Sequence, residues 1–164
     1  MIELRELDEG DIQSIASYAN NFNVSQYMAS RMPYPYTIED AQWWVQTGSK
    51  EQGLNFAIDF DGTCIGVIGV RFGENEYQYS AEIGYWIAEE HWGKGIGTEA
   101  VSKMTDQVFA AGKIVRLSAP VRSPNISSMR VLEKNDYVLE SVQKKAVYKN
   151  NEFMDEHIYV KLRS

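Results

Sequence analysis

The sequence predicts a mixed α/β domain, in which about seven strands form one sheet and helices flank it. Three observations carry this prediction. Four segments repeat apolar residues at helical spacing, seven others have the alternation or short apolar runs of strands, and turn residues separate them. The length of 164 residues and the composition, 44% hydrophobic and 24% charged, are ordinary for a globular protein. We therefore expect residues 1–164 to form a single domain.

Strands are predicted where apolar and polar residues alternate, or where a short apolar run lies between turn residues. They are residues 2–7, 54–60, 63–72, 81–87, 114–119, 137–148 and 153–162. Asp61-Gly62 separates the second strand from the third, and Asn150-Asn151 separates the last two. Because these residue types favour tight turns, each of the two pairs is expected to form a hairpin.

Helices are predicted from apolar residues at helical spacing together with residues that start a helix. They are residues 8–20, 37–45, 98–111 and 125–134. Asp8 is expected to cap the first helix, and Thr37 forms a capping box with Asp40 at the second. Residues 21–36 between them are aperiodic, and their prolines disfavour regular structure.

The most informative segment joins the strand at residues 81–87 to the helix that follows it. Gly93, Gly95 and Gly97 alternate there, where side chains would keep a ligand away from the backbone. Such a turn leaves N–H groups unpaired at the positive end of a helix dipole, which favours phosphate. A dinucleotide fingerprint needs glycine where Thr98 stands, and the P-loop string is absent from the sequence. We therefore expect a different kind of phosphorylated ligand.

Two motifs in this sequence resemble those of the GNAT superfamily of N-acetyltransferases. Gly95 and Gly97 match the family's pyrophosphate loop, (Gln/Arg)-x-x-Gly-x-(Gly/Ala), and Trp92 departs from it at the first position. Residues 125–137 resemble the later motif, Asn-x-x-(Ser/Ala)-x-x-x-(Tyr/Leu)-x-(Lys)-x-Gly-(Phe/Tyr), with Asp136 where the family usually has glycine. The motifs and the predicted elements come in the family's order, so the resemblance covers the whole chain. Within the family, the sequence resembles the branch that acetylates ribosomal-protein N-termini and polyamines.

The resemblance implies the GNAT fold, in which the sheet is mostly antiparallel and two neighbouring strands splay apart in a V. It implies direct transfer of an acetyl group from acetyl-CoA to a primary amine. The pantetheine arm of the donor would meet the main chain near Ile87 and Ala88, and the side chain of Asn125. The pyrophosphate would lie on the N–H groups of the loop residues Gly93, Lys94, Gly95, Gly97 and Thr98.

The reaction needs a base for the amine, a donor for the oxyanion and a proton for the leaving thiolate. Glu82 is the candidate base, acting through a water, because the family often has glutamate in this Glu-Ile-Gly-Tyr context; the alternative is a solvated strand residue. A strand N–H near Ile87 is the simplest oxyanion donor. The family's usual acid is a tyrosine at the position of Leu132. Ser128 in the same helix is the candidate substitute, with ordered water as the alternative.

Charge is divided unevenly along the chain. Residues 1–93 contain 4 Lys and Arg against 15 Asp and Glu, a net charge of −11, and residues 94–164 contain 12 against 8, a net charge of +4. We hypothesise that anionic CoA approaches the basic part and a cationic amine the acidic part. The alternative is that both parts are solvated surface.

Composition disfavours several other classes of function. Cys64 is the only cysteine, and His91 and His157 have no partner at ligand spacing, so we expect no disulfide, no metal site and a reduced, cytoplasmic setting. No apolar run reaches membrane-spanning length, and residues 1–5 do not resemble a signal peptide. The net charge of −7 and the isoelectric point near 4.9 argue against nucleic-acid binding.

Some alternatives remain open on the sequence alone. The apolar residues Trp92 and Leu132 replace polar residues of the family, which is compatible with a non-catalytic acyl-CoA-binding module. The acceptor could be a protein N-terminus, a polyamine or another small amine. The oligomeric state is open as well, with a homodimer among the options.

Overall fold

The computed structural model describes residues 1–51 and 53–164. Over these residues, seven strands form one sheet in the order β1-β2-β3-β4-β5-β7-β6. The strands are β1 (Ile2–Arg5), β2 (Leu54–Phe60), β3 (Thr63–Phe72), β4 (Ser80–Ile87), β5 (Arg116–Arg122), β6 (Val138–Lys149) and β7 (Glu152–Leu162). Neighbouring strands are antiparallel except β4 and β5, which are parallel. This confirms the predicted mixed, mostly antiparallel sheet.

Helices cover both faces of this sheet. They are α1 (Ile12–Ala19), α2 (Phe22–Ser25), α3 (Ile38–Trp43), α4 (Ser49–Glu51), α5 (Ile96–Ala110) and α6 (Ile126–Lys134), with a π-helical turn between α3 and α4. The prediction that residues 21–36 lack regular structure is wrong at α2, which Asn21 caps by accepting a bond from the Asn23 N–H at 2.9 Å. No helix within the described ranges is long and apolar enough to cross a membrane.

Two helical segments begin with closed caps, as the sequence predicts. Asp8 caps the turn that leads into α1, and the Asp11 carboxylate accepts a return bond from the Asp8 N–H at 2.9 Å. At α3, Thr37 Oγ1 accepts from the Asp40 N–H at 3.2 Å, and the Asp40 carboxylate accepts from the Thr37 N–H at 2.8 Å. Each pair satisfies N–H groups that a helix start would otherwise leave open.

The carboxylate of Asp11 also ties α1 to the edge of the sheet. Arg5 of β1 donates to both Asp11 oxygens at 2.8 and 2.9 Å, and its Nε donates to Asp59 at 2.6 Å. Asp11 is only 4% exposed. Burial alone would raise the pKa of the Asp11 carboxyl, but the bonds from Arg5 and from the Asp8 N–H outweigh burial and hold that pKa below its ordinary value.

The predicted strand at residues 114–119 has the wrong bounds, since β5 runs from Arg116 through Pro120 to Arg122. A proline normally argues against a strand interior because it lacks an N–H donor. Here the Ser123 N–H donates to the Asp155 carbonyl at 2.9 Å, so antiparallel alternation turns the main chain of Pro120 away from β7. The nitrogen of Pro120, which lacks a hydrogen, therefore faces the side of β4, where β4 and β5 no longer pair.

The two faces of the sheet bury separate apolar clusters. One cluster packs α5 and α6 against Ile83 and Ile87 of β4, and the other packs α1 and α3 against Trp86. Alternation along β4 thus sends its odd-numbered side chains to α5 and α6 and its even-numbered ones to the opposite face. Cys64 lies in the second cluster, where burial raises the pKa of its thiol to about 12. This supports a packing role for Cys64.

Candidate active site

The parallel strands β4 and β5 separate partway along their length. Their pairing ends at Glu82 and Ser118, while β4 continues to Ile87. The Ala88 N–H donates to the Ile65 carbonyl of β3 at 2.8 Å, so antiparallel alternation directs the main-chain N–H and C=O of Ile87 away from β3. The V-shaped splay is therefore present as predicted, and the main chain of β4 faces into it.

The main-chain groups at the end of β4 differ in what they already bind. Both groups of Ala88 are engaged, since its carbonyl also accepts from the His91 N–H at 2.9 Å. The Ile87 carbonyl accepts from the Trp92 indole Nε1 at 2.8 Å. Contact between pantetheine and the main chain of Ala88 stays a prediction that would require these bonds to change. The Ile87 N–H is the group that alternation aims into the splay.

Trp92 therefore has a role that sequence comparison hides. It stands where the family motif has Gln or Arg, and its indole ring ties the glycine-rich loop to the end of β4. The departure from the motif thus replaces a polar side chain with another hydrogen-bond donor.

The three loop glycines are required for two different reasons. Gly93 and Gly95 have φ of +75° and +78°, and an added Cβ at either position would meet nothing within 4 Å. Positive φ explains these two glycines. Gly97 lies inside α5, where an added Cβ would come within 3.3 Å of Val131 and 3.4 Å of Ile87. The smallest residue at this position lets α5 pack closely on β4 and α6.

The start of α5 is open. Gly95 occupies its N-cap position and provides no side-chain cap, in contrast to Thr37 at α3. Lys94 is exposed beside it, and Thr98 is half-buried in the first turn. The uncapped N–H groups and the helix dipole make this turn suitable for an anion.

On the other side of the splay, Asn125 occupies the N-cap position of α6. Its Oδ1 accepts from the Ser127 hydroxyl at 3.3 Å, and its own N–H donates to the Arg122 carbonyl at 2.8 Å. The side chain of Asn125 thus lies where β5 ends and α6 begins, as the motif predicts from sequence.

Glu82 lies on the sheet face opposite α5 and α6. It is exposed and stands in register with Arg71 of β3 and Ser118 of β5, so the three side chains share that face. They line a cleft of about 760 Å³ that also includes Glu74. Arg31 belongs to this neighbourhood, because burial and the charge of Arg71 lower the pKa of its guanidinium while the Glu82 carboxylate opposes that change.

Sequence reasoning missed one polar residue in the splay. The Tyr85 hydroxyl donates to Ser128 Oγ at 3.2 Å, which connects β4 to α6 across the gap. Burial raises the pKa of the Tyr85 phenol, and the bond to Ser128 offsets part of that effect. Leu132, at the position of the family's usual tyrosine, is 1% exposed and packs in the core. Alternation with Ile87 could have placed Tyr85 on this face, but its pairing with Ser128 depends on the tertiary fold.

Within residues 1–51 and 53–164, the structure contains no group of three or more His, Cys, Asp or Glu side chains that could hold a metal ion. His91 instead contacts the rings of Tyr18 and Phe60.

Comparison with known proteins identifies the class. Residues 2–138 match the family model described as the acetyltransferase (GNAT) domain. The chain is 31% identical over 142 residues to the ribosomal-protein-serine acetyltransferase of Escherichia coli (strain K12). This alignment covers 87% of this chain and 77% of that protein. The chain therefore belongs to the GNAT family and is an acetyltransferase.

Solved structures share this fold along nearly the whole chain. A GNAT-family acetyltransferase from Bacillus anthracis superposes with a TM-score of 0.85 at 25% identity, covering 98% of this chain and 94% of that one. RimL, a ribosomal alpha-N-protein acetyltransferase solved in complex with coenzyme A, superposes with a TM-score of 0.85 at 23% identity, covering 98% and 93%. The sheet described above is thus the GNAT fold.

Proposed function

We propose that this protein transfers an acetyl group from acetyl-CoA directly to a primary amine bound in the same complex. The observation that carries the proposal is the junction of the β4–β5 splay with the uncapped start of α5. A gap lined by main-chain groups suits an extended pantetheine arm, and open amides at a helix start suit a diphosphate. Membership in the GNAT family supports the same donor.

In this proposal the donor spans the splay. Its diphosphate accepts bonds from the N–H groups of residues 93–98, and Lys94 adds a mobile positive charge. Its pantetheine arm runs along β4, with the Ile87 N–H on one side and the Asn125 side chain on the other. The acetyl group then lies in the splay beside the Ile87 N–H, between the Glu82 face and the Tyr85–Ser128 pair.

The chemistry follows from these positions. Glu82, through a water, removes a proton from the ammonium, whose ordinary pKa is about 10. The amine nitrogen attacks the thioester carbon, and the Ile87 N–H stabilises the oxyanion. The nitrogen, positively charged after the attack, loses its second proton to water, and the carbon–sulfur bond breaks as the tetrahedral intermediate collapses to the amide. Ser128 protonates the departing thiolate and receives a proton from Tyr85, which hydrogen-bonds to it and regains its own proton from water.

The acceptor is an amine that enters from the Glu82 cleft. A protein amine is supported by the name of the Escherichia coli relative, and a polyamine or another small amine by the acidic character of residues 1–93. The cleft of about 760 Å³ has room for either kind of acceptor.

Thiol release from acetyl-CoA tests the proposal against a panel of N-terminal peptides, polyamines and other amines. We expect at least one amine to give turnover, and Glu82→Gln to lower kcat about 100-fold, the lower end of typical acid–base contributions. Glu74→Gln is the matched control, because Glu74 lines the same cleft, and it should leave kcat within about twofold. Coenzyme A binding without turnover across the panel would instead indicate a non-catalytic acyl-CoA-binding module.

A further inference from the structure

The segment between α1 and α3, residues 21–36 (the crossing segment), is bonded to both sides of the splay. On the β4 side, Glu89 accepts from Asn21 Nδ2 at 2.8 Å and from Asn23 Nδ2 at 3.1 and 3.2 Å. These bonds lower the pKa of the Glu89 carboxyl. One end of the crossing segment is therefore fixed just after β4.

Two cations hold the same segment from the β5 side. Arg122, the last residue of β5, donates through Nη1 to the carbonyls of Tyr27 and Met28 at 2.8 and 3.1 Å. Lys149, the last residue of β6, donates through Nζ to the carbonyls of Ser25 and Met28 at 2.8 and 2.6 Å. Because the acceptors are main-chain oxygens, these bonds fix the backbone path whatever side chains the segment carries.

The cations are committed to this position. The Arg122 side chain is 16% exposed and also pairs with Glu156 at 3.5 Å. Burial and the nearby charge of Arg122 lower the pKa of the Lys149 ammonium. Arg122 belongs to the basic part of the chain, where we hypothesise that CoA approaches, yet its guanidinium bonds to the crossing segment.

The crossing segment carries a charge that interacts with the charges of the Glu82 cleft. Arg71 and Glu82 both influence the pKa of Arg31, which lies three residues beyond Met28. The same segment and Lys149 also enclose a second cavity of about 330 Å³, lined by Phe22, Met32 and Tyr34 among others. The backbone path at residues 25–28 thus determines where Arg31 and this cavity lie relative to Glu82.

We propose that Arg122 and Lys149 are positioning residues that hold the crossing segment over the splay and thereby determine affinity for the acceptor amine. The proposal rests on the acetyl transfer proposed above. Neither cation touches the reacting atoms in that account. Loss of either one should weaken acceptor binding while coenzyme A binding stays unchanged.

Lys149→Met tests this directly, with Lys161→Met as its control. Lys161 is also a strand lysine whose Nζ donates to a main-chain carbonyl, that of Asn135 at 3.0 Å, but it lies away from the crossing segment. We expect Lys149→Met to raise the acceptor KM about tenfold, the size expected for losing a charged hydrogen bond. The Kd for coenzyme A should stay within about twofold in both variants, and Lys149→Arg should restore most of the acceptor KM. Equal effects of Lys149→Met and Lys161→Met, or an unchanged acceptor KM, would overturn the proposal.

Hydrogen exchange gives a second measurement that does not depend on turnover. In Lys149→Met, amides of residues 25–34 should exchange faster, and those of α5 should keep their wild-type rates. Unchanged exchange in residues 25–34 would also overturn the proposal. Wild-type protein that acetylates no amine would contradict the proposed function. Faster exchange in Lys149→Met would still show that Lys149 holds the crossing segment in place.

Discussion

The first N–H groups of a helix have no partner within that helix, and the starts of α3 and α5 differ in whether side chains cap them. At α3, Thr37 and Asp40 bond to each other's N–H groups and close the helix start. At α5, Gly95 leaves the start without a side-chain cap. A closed start stabilises the protein by about 1 kcal/mol and offers little to a ligand, whereas an open start keeps its donors for an anion. A helix start without a side-chain cap can therefore itself indicate a binding site for an anion.

A side-chain cap at the start of α5 should weaken the anion site there. Gly95→Asp places a carboxylate at the N-cap, where an added Cβ meets nothing within 4 Å, and Asp is among the residues least strained by the positive φ of this position. The carboxylate would occupy the amides and repel the diphosphate. We expect the Kd for coenzyme A to rise about 100-fold, which corresponds to about 2.7 kcal/mol. Calorimetric titration measures this.

Gly62→Asp is the matched control for that variant. Gly62 also has a positive φ, +85°, and an added Cβ there also meets nothing within 4 Å, but it lies in the β2–β3 turn. Its Kd for coenzyme A should equal that of the wild type. Equal weakening in the two variants would mean that the open start of α5 is not the anion site.

The opposite change opens the closed start. Thr37→Ala removes the side-chain oxygen that accepts from the Asp40 N–H, so the free energy of unfolding should fall by about 1 kcal/mol. Affinity for coenzyme A should be unchanged. Urea unfolding and calorimetry measure the two quantities. A weaker Kd with no loss of stability would contradict the division of roles between the two helix starts.

The closed cap before α1 adds a smaller effect, whose pH dependence appears in acid. Since the folded pKa of Asp11 lies below its unfolded value of about 3.9, its contribution to stability is present above that pH and is lost as the pH falls through the folded pKa. Urea midpoints should therefore decline below about pH 4, and less steeply in Asp11→Asn. If the urea midpoints of the wild type and Asp11→Asn change identically with pH, Asp11 does not contribute to the loss of stability in acid.

Features encoded by neighbouring residues were predictable from the sequence. The Asp8 and Thr37–Asp40 caps, both hairpins and the glycine-rich turn depend on side chains a few positions apart, and the structure confirms the caps and the hairpins. Assignment of the turn to a diphosphate stays a prediction.

Features that depend on the tertiary fold were not predictable. The bond from Trp92 to the Ile87 carbonyl, the Tyr85–Ser128 pair and the contacts of Arg122 with residues 27 and 28 join groups whose distance only the folded chain determines. The bounds predicted for β5 also missed Pro120, because which side of a strand lacks a partner depends on the tertiary fold.

Titration with coenzyme A and with pantetheine measures what the part of the donor beyond the pantetheine arm contributes to binding. Pantetheine keeps the arm that would lie in the splay but lacks the diphosphate. If the amides at the start of α5 bind that group, pantetheine should bind at least about 100-fold more weakly than coenzyme A, and Gly95→Asp should leave the weaker affinity unchanged. Equal affinities of the wild type for the two ligands would contradict the account.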